Sequence, residues 1–325
     1  MSTLFSRSEN DLAKVFMNDI KSKKYIEKPN ELNSNKSKHL YDSFIDLTIK
    51  SEPKEFYQTD FIKLTKDEVF EAFIYSILTI FGDTEEIKKE MECFCKRIQL
   101  SNDNEILSGV NLAFRDEITK KIECVVEIPS VSNTSSVISL VHEFIHFHMA
   151  NKEIDLNKKY YYTEIFSILG EKIATCIVEE NLKYQNDMTQ KIENTRLNGI
   201  VWHYKDRLEE MTTLQKIYNN AKKGFVPAAM SIEEMEKECP WLKGGSIKEA
   251  YNIYRDNLAY SYGFGYIYAE NLFRKFLKDQ EKTTYDINEV LNGKTRIDSL
   301  LRNYNIGINQ QSITTAKQKV KSITK

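Results

Sequence analysis

The chain has 325 residues, enough for one large domain or for two lobes around a cleft. Its 46 Lys and Arg residues nearly balance its 48 Asp and Glu residues, and the resulting net charge of −2 argues against a nucleic-acid partner. No apolar run approaches the roughly 18 residues that a membrane span needs, and the first residues lack a signal-peptide pattern. We therefore expect a cytoplasmic protein that has no membrane partner.

The predicted elements are mainly helices, as expected for a sequence that is poor in Gly and Pro. Apolar periodicity and capping residues predict helices in five stretches before residue 160: 8–22, 39–50, 65–82, 84–98 and 134–150. Thr65 and Glu68 are spaced as a capping box, and Asn133 is the first of four candidate N-cap residues for the last of these helices. The β-branched run 122–128 predicts a strand, with a partner near 107–115. From residue 160 onward the pattern is again helical, and the Lys-rich tail that follows Thr314 is expected to fray.

The helix over 134–150 carries the segment His142-Glu143-Phe144-Ile145-His146. Because His142 and His146 are four residues apart, both project from one helix face and can bind one Zn²⁺ ion. Glu143 lies beside them and can accept a proton from water, since zinc lowers the pKa of a bound water to about 7. With five His in 325 residues, the pattern arises by chance in fewer than about one per cent of such chains.

A catalytic zinc site needs a third protein ligand and one open position. His148 points about 200° away from His146 on a helix, so it is expected to be a structural histidine. The next predicted helix offers two carboxylates on one face, Glu164 and Glu171, which are seven residues apart. Spacing alone does not choose between them.

The segment Glu164-Ile165-Phe166-Ser167-Ile168-Leu169-Gly170-Glu171 resembles the E-x-x-S-x-x-x-E pattern of the thimet oligopeptidase and oligoendopeptidase F family of zinc metallopeptidases. The resemblance implies that Glu164 is the third ligand of one zinc ion per chain and that Glu171 orients a ligand histidine. It implies a mainly α, zincin-like catalytic domain with a small β-sheet beside the zinc-binding helix and two lobes around a cleft. It also implies that the strand 122–128 is the sheet edge on which an extended peptide lies.

A Tyr- and Gly-rich segment, 258–266, is similar to a turn near the C-terminus of that family, with a helix following from Ile267. The resemblance implies that Tyr262, or else Tyr260, donates its hydroxyl to the oxyanion that develops at the scissile carbonyl. The alternative is that these are ordinary packing tyrosines, since the chain contains 18 of them.

The resemblance covers about residues 105–310, which predicts an N-terminal helical segment, 1–104, and a catalytic domain, 105–325. The sequence departs from the family in three ways. Ile145 stands where the family usually has Gly, and is expected to narrow the site. Residues 240–275 contain no His, whereas the family has one shortly before the Tyr-rich turn. The chain is also much shorter than typical members.

The predicted function is hydrolysis of short peptides by a zinc-dependent endopeptidase. Three alternatives remain open. A catalytically weak, peptidase-like protein would bind peptides or a partner, as the missing histidine suggests. A helical structural protein would carry the motif by accident and bind no metal. A zinc hydrolase could act on a non-peptide amide.

Overall fold

A computed structural model describes residues 30–54, 56, 60–100, 110–115, 122–128, 130–152, 162–182, 188–202, 204 and 258–323. The predicted helix 8–22 lies outside these residues, and so does the predicted boundary between residues 104 and 105. That division into two segments therefore stays a prediction.

The described chain is mainly helical, as the sequence predicts, and contains one small sheet. After a short 3₁₀ turn, Asn30–Leu32, the helices are α1 Asn35–Lys50, α2 Lys66–Phe81, α3 Glu85–Cys95, α4 Thr134–Asn151, α5 Thr163–Leu182, α6 Met188–Trp202, α7 Leu258–Lys278, α8 Gln280–Leu291, α9 Ile297–Asn303 and α10 Gln310–Ile323. The strands are β1 Ile98–Leu100, β2 Val110–Arg115 and β3 Ile122–Ile128. Within these residues, no helix is both long enough and apolar enough to cross a membrane.

Local polar contacts fix where the helices begin. Thr65 and Glu68 form the predicted capping box at the start of α2. The side chain of Asn133 accepts from the backbone N–H of Ser136 at 3.0 Å, which caps α4. The N–H of Thr134 also donates to the carbonyl of Ile62 at 3.0 Å, so the preceding chain holds the beginning of this helix.

The sheet has the strand order β1-β3-β2. β1 pairs with β3 in parallel over Val126 to Ile128, whereas β2 pairs with β3 antiparallel over its whole length. The predictions of a strand over 122–128 and of a partner near 107–115 are confirmed. The expectation that 122–128 forms the sheet edge is wrong, because β3 pairs with a strand on each side; among the described residues, β1 and β2 are the outer strands.

Helix packing places α4 and α5 at the centre of the molecule. α4 contacts β2, β3, α2 and α5. α5 in turn packs against α7, α2 and α6. Because neighbours surround α4 on several sides, most of its side chains are buried, as expected for a helix in the interior. The two helices therefore pack directly against each other.

Two expectations about the C-terminal part are wrong. The segment 258–266 forms no turn but the first turns of the continuous helix α7. Its glycines serve close packing: a Cβ atom on Gly265 would lie 2.7 Å from the Cβ of Glu164 on α5. As far as Ile323, the Lys-rich tail is not frayed either, because it belongs to α10, which buries four apolar side chains: Ile313, Ala316, Val320 and Ile323.

Candidate metal centre

Three potential metal ligands converge between α4 and α5. His142 and His146 project from one face of α4, and Glu164 from the first turn of α5. The Nε2 atoms of the two histidines are 3.0 Å apart. The Oε2 atom of Glu164 lies 3.4 Å from Nε2 of His142 and 3.5 Å from Nε2 of His146. This triad is the group of His, Cys, Asp and Glu side chains within the described residues that could hold a metal ion.

The size and chemistry of the triad fit a zinc ion. A circle through three atoms with these separations has a radius of about 1.9 Å, close to zinc bond lengths of about 2.0–2.2 Å. Two imidazoles and one carboxylate form a donor set that zinc enzymes use, with a fourth position left for water or substrate. The side chain of His146 is 21% exposed, so the triad is reachable from solvent.

Glu171 fixes the orientation of the first histidine. Its Oε1 atom lies 2.6 Å from Nδ1 of His142, and a carboxylate oxygen there can only accept a hydrogen bond. The proton of neutral His142 is therefore on Nδ1, and Nε2 turns its lone pair towards His146 and Glu164. The structure thus places Glu171 outside the triad, in contact with one of its histidines.

The electrostatics of the site favour a bound cation. Burial lowers the pKa of His142, but the hydrogen bond with Glu171 and the nearby carboxylates raise it to about 10. Burial raises the pKa of Glu164, but the two histidines and the Ser167 hydroxyl lower it to about 2. The three carboxylates of Glu143, Glu164 and Glu171 thus attract positive charge, which protons or a metal ion can supply.

Glu143 follows His142 on α4 and is buried. Burial raises the pKa of its carboxyl group above the ordinary 4.5, while the positive charge that His142 and His146 can carry acts in the opposite direction. A pKa above the ordinary value makes a carboxyl group a stronger base than an exposed one, which helps it to take up a proton.

The structure brings one of the two candidate tyrosines to this site. Burial raises the pKa of Tyr262 well above 10, and the negative charges of Glu164, Glu143 and Glu171 raise it further. Tyr260 lies about 200° around α7 from Tyr262, because the two residues are two positions apart on a helix. Its ring centroid is 6.1 Å from that of Tyr41 on α1, and its pKa is raised by burial and by the negative charge of Asp42 on the same helix. Tyr260 therefore faces α1 and not the triad.

A buried chain of charges behind Glu171 was not predicted from the sequence. Arg196 on α6 donates from Nε to Glu171 at 2.5 Å and from Nη1 to Glu193 at 2.6 Å. Glu193 also accepts from Lys172 at 2.5 Å and from the Tyr266 hydroxyl at 2.9 Å. The partners are on three different helices, so spacing along the sequence carries no signal of this contact. What the sequence does show is the pair Glu193 and Arg196, three residues apart on α6, which can form an ion pair within that helix.

Two neighbouring residues complete the surroundings of the triad. His148 is fully buried and bonds to Glu90 at 2.8 Å and to the carbonyl of Leu291 at 3.1 Å, so it is a structural histidine, as predicted. Ile145 lies against α5, where its Cδ1 atom would be 2.3 Å from a Cβ atom on Gly170. The Ile at this position is therefore accommodated by a Gly on the facing helix.

Comparison with known proteins finds a similarity of fold to a solved structure. No family model and no curated protein sequence matches the chain. Among solved structures, the crystal structure of a protein described as a putative oligoendopeptidase F from Bacillus anthracis str. Ames is similar, with a TM-score of 0.60 and 12% sequence identity. The match covers 97% of this chain and 62% of that one, so this chain spans less than two thirds of its length. The likeness shows that the two chains share a fold, which in this chain is mainly helical.

Proposed function

We propose that this protein is a zinc-dependent endopeptidase that hydrolyses short peptides. One zinc ion per chain would be held by His142, His146 and Glu164. The observation that carries the proposal is the convergence of three ligand atoms within 3.0–3.5 Å of one another, with Glu143 between the two histidines in sequence. The peptidase-like fold of the similar structure adds support.

Bound zinc supplies Lewis-acid chemistry, because it lowers the pKa of water to about 7 and polarises a carbonyl oxygen. In this proposal Glu143 accepts the proton of the attacking water and later returns it to the amine that leaves. Its buried position and raised pKa suit that exchange. Glu171 holds His142 in the tautomer that presents Nε2 to the metal.

Tyr262 is the candidate for stabilising the developing negative charge. Its hydroxyl would donate to the oxyanion at the former carbonyl carbon. The electrostatic influence of Glu143 and Glu164 on Tyr262 supports this role. Burial and nearby carboxylates keep the hydroxyl protonated, and a protonated hydroxyl is the form that can donate.

The substrate would lie extended along the edge of the sheet. β2 pairs with β3 on one side and contacts α4, the helix with the two histidines. Backbone pairing with an edge strand tolerates many sequences, which suits a broad-specificity peptidase. In this proposal the peptide pairs with β2 and not with β3. Two lobes flank the cleft in which the peptide lies. The protein acts in the cytoplasm.

A second candidate function is favoured by one observation. Residues 240–275 contain no His, whereas the family that the sequence resembles has one shortly before the Tyr-rich segment. Without that histidine, a peptidase-like protein that binds peptides or a partner and cleaves them weakly is the alternative. Turnover separates the two functions, because zinc content is the same in both.

The test is cleavage of a mixed, internally quenched peptide library by the zinc-loaded protein. Glu143→Gln keeps the three ligands and removes the base, so we expect turnover to fall by at least about 10²-fold. Glu281→Gln makes the same change at an exposed position of α8 and should leave turnover unchanged. If the wild type and both variants bind zinc but none of them cleaves any peptide, the peptide-binding alternative is favoured.

A further inference from the structure

Arg196 uses two edges of its guanidinium group to join two carboxylates. Nε donates to Oε2 of Glu171, and Nη1 donates to Oε1 of Glu193. The side chain is 7% exposed, and the side chains of Glu171 and Glu193 are 14% and 3% exposed. Water therefore competes little for these bonds, and both carboxylates hold fixed orientations.

The bond to Glu171 links Arg196 to the proposed metal site in one further step. Glu171 offers Oε2 to Arg196 and Oε1 to Nδ1 of His142, the latter at 2.6 Å. A carboxylate that is anchored through one oxygen cannot rotate away from the histidine that contacts the other. Without Arg196, Glu171 could turn towards solvent and His142 would lose its orientation.

Charge and orientation make opposite predictions for the loss of this arginine. The carboxyl groups of Glu143, Glu164 and Glu171 carry up to three negative charges, which one guanidinium offsets in part. If charge alone mattered, removing Arg196 would make the site more negative and tighten its hold on a cation. If orientation matters, removing it frees Glu171 and weakens metal binding.

We propose that Arg196 is a positioning residue for the metal centre, acting through Glu171 on His142. Its second bond, to Glu193, places it: Glu193 is held in turn by Lys172 at 2.5 Å and by Tyr266 at 2.9 Å. Arg196 is thus fixed between α5, α6 and α7 before any metal arrives. The inference rests on the proposed zinc site, but it does not depend on what the site cleaves.

The test measures zinc affinity in the absence of peptide. The metal-free full-length protein would be titrated with zinc against a chelating indicator, as wild type and as Arg196→Gln, Glu171→Gln and the double variant. We expect about a tenfold loss of affinity for Arg196→Gln and about 10–100-fold for Glu171→Gln. Because Arg196 acts through Glu171, the double variant should bind zinc no more weakly than Glu171→Gln alone.

The matched control is Arg274→Gln. Arg274 pairs with Glu270, which lies 3.1 Å from Lys172 and so extends the same charge network, and the side chain of Arg274 is 42% exposed. This variant makes the same chemical change and should keep the zinc affinity of the wild type. Absorption of Co²⁺ bound in place of zinc provides a second readout, since its visible spectrum reports ligand geometry. The spectrum should change in Arg196→Gln and stay the same in Arg274→Gln.

Two results would overturn the inference. One is a zinc affinity of Arg196→Gln that equals or exceeds that of the wild type. The other is a loss of zinc affinity in the double variant equal to the product of the losses in the two single variants. Arg196→Lys keeps the charge but can reach one carboxylate at a time, so an intermediate affinity is expected; it serves as the test if the Gln variant does not fold. A wild type that binds no zinc would refute the proposed function as well. A wild type that binds zinc with no effect of Arg196→Gln would refute this inference alone.

Discussion

The contact between α7 and the ligand-bearing helix α5 depends on Gly265. A Cβ atom there would lie 2.7 Å from the Cβ of Glu164, 3.0 Å from Cδ1 of Ile168 and 3.1 Å from the carbonyl carbon of Glu164. Two of these three atoms belong to the base or backbone of Glu164 and cannot swing aside. In Gly265→Ala the helices must therefore separate by about 0.7 Å or more to reach ordinary van der Waals distance.

The free energy of unfolding should record this separation. Overpacking of this kind costs about 1–3 kcal/mol. Ala is favoured over Gly in a helix by about 0.5–1 kcal/mol, which offsets part of the loss. A matched substitution removes this second effect: Gly199 lies inside α6, and its added Cβ would meet nothing nearer than Cδ1 of Tyr262 at 3.9 Å. Gly199→Ala should stabilise the protein by about 0.5–1 kcal/mol.

Urea unfolding of the metal-free proteins at one pH measures both variants. The difference between Gly199→Ala and Gly265→Ala isolates the packing cost, so it should be about 1–3 kcal/mol. The zinc affinity of Gly265→Ala should also fall, because Glu164 moves with the helix. Equal stabilities for the two Ala variants would refute the close approach of α7 to Glu164.

Two further predictions concern the oxyanion and the buried charges. Tyr262→Phe should lower kcat by about 10²–10³-fold and leave zinc affinity unchanged. Tyr260→Phe, on the opposite face of α7, should lower kcat far less, and equal effects of the two would contradict the assignment. The pKa of Glu193 is affected first by burial, which raises it, but Lys172 and Arg196 outweigh burial and lower it to about 2. A group with a lowered folded pKa stabilises the protein fully above its ordinary value of 4.5 and loses that contribution as pH falls towards 2, on the order of 3 kcal/mol. The urea-unfolding free energy of Glu193→Gln should therefore fall less steeply than that of the wild type between pH 4.5 and 3, and identical slopes would show that Glu193 is not held ionised.

Features set by neighbouring residues were predictable from the sequence. The spacing of His142 and His146 placed both on one helix face, and the residues Thr65 and Asn133 marked two helix starts. The β-branched run at β3 was enough for a strand. In each case the stabilising contact lies within about one helical turn or along one strand, so the local pattern contains the information.

Features set by distant residues were not predictable in this way. Whether β3 lies at the centre or the edge depends on strands that pair from either side, which one strand's composition does not encode. The family resemblance implied a turn over 258–266, but the Gly residues there serve the close contact of α7 with α5 and α1. The bonds of Arg196 to Glu171 and Glu193 likewise arise only when α5 and α6 pack together.

The central claim is that His142, His146 and Glu164 hold one zinc ion. A crystal of the zinc-loaded protein, measured on both sides of the zinc absorption edge, tests it most directly. The account predicts a single anomalous peak about 2.0–2.2 Å from Nε2 of both histidines and from a carboxylate oxygen of Glu164. A fully loaded crystal with no peak between these side chains, or with zinc held by other residues, would contradict it.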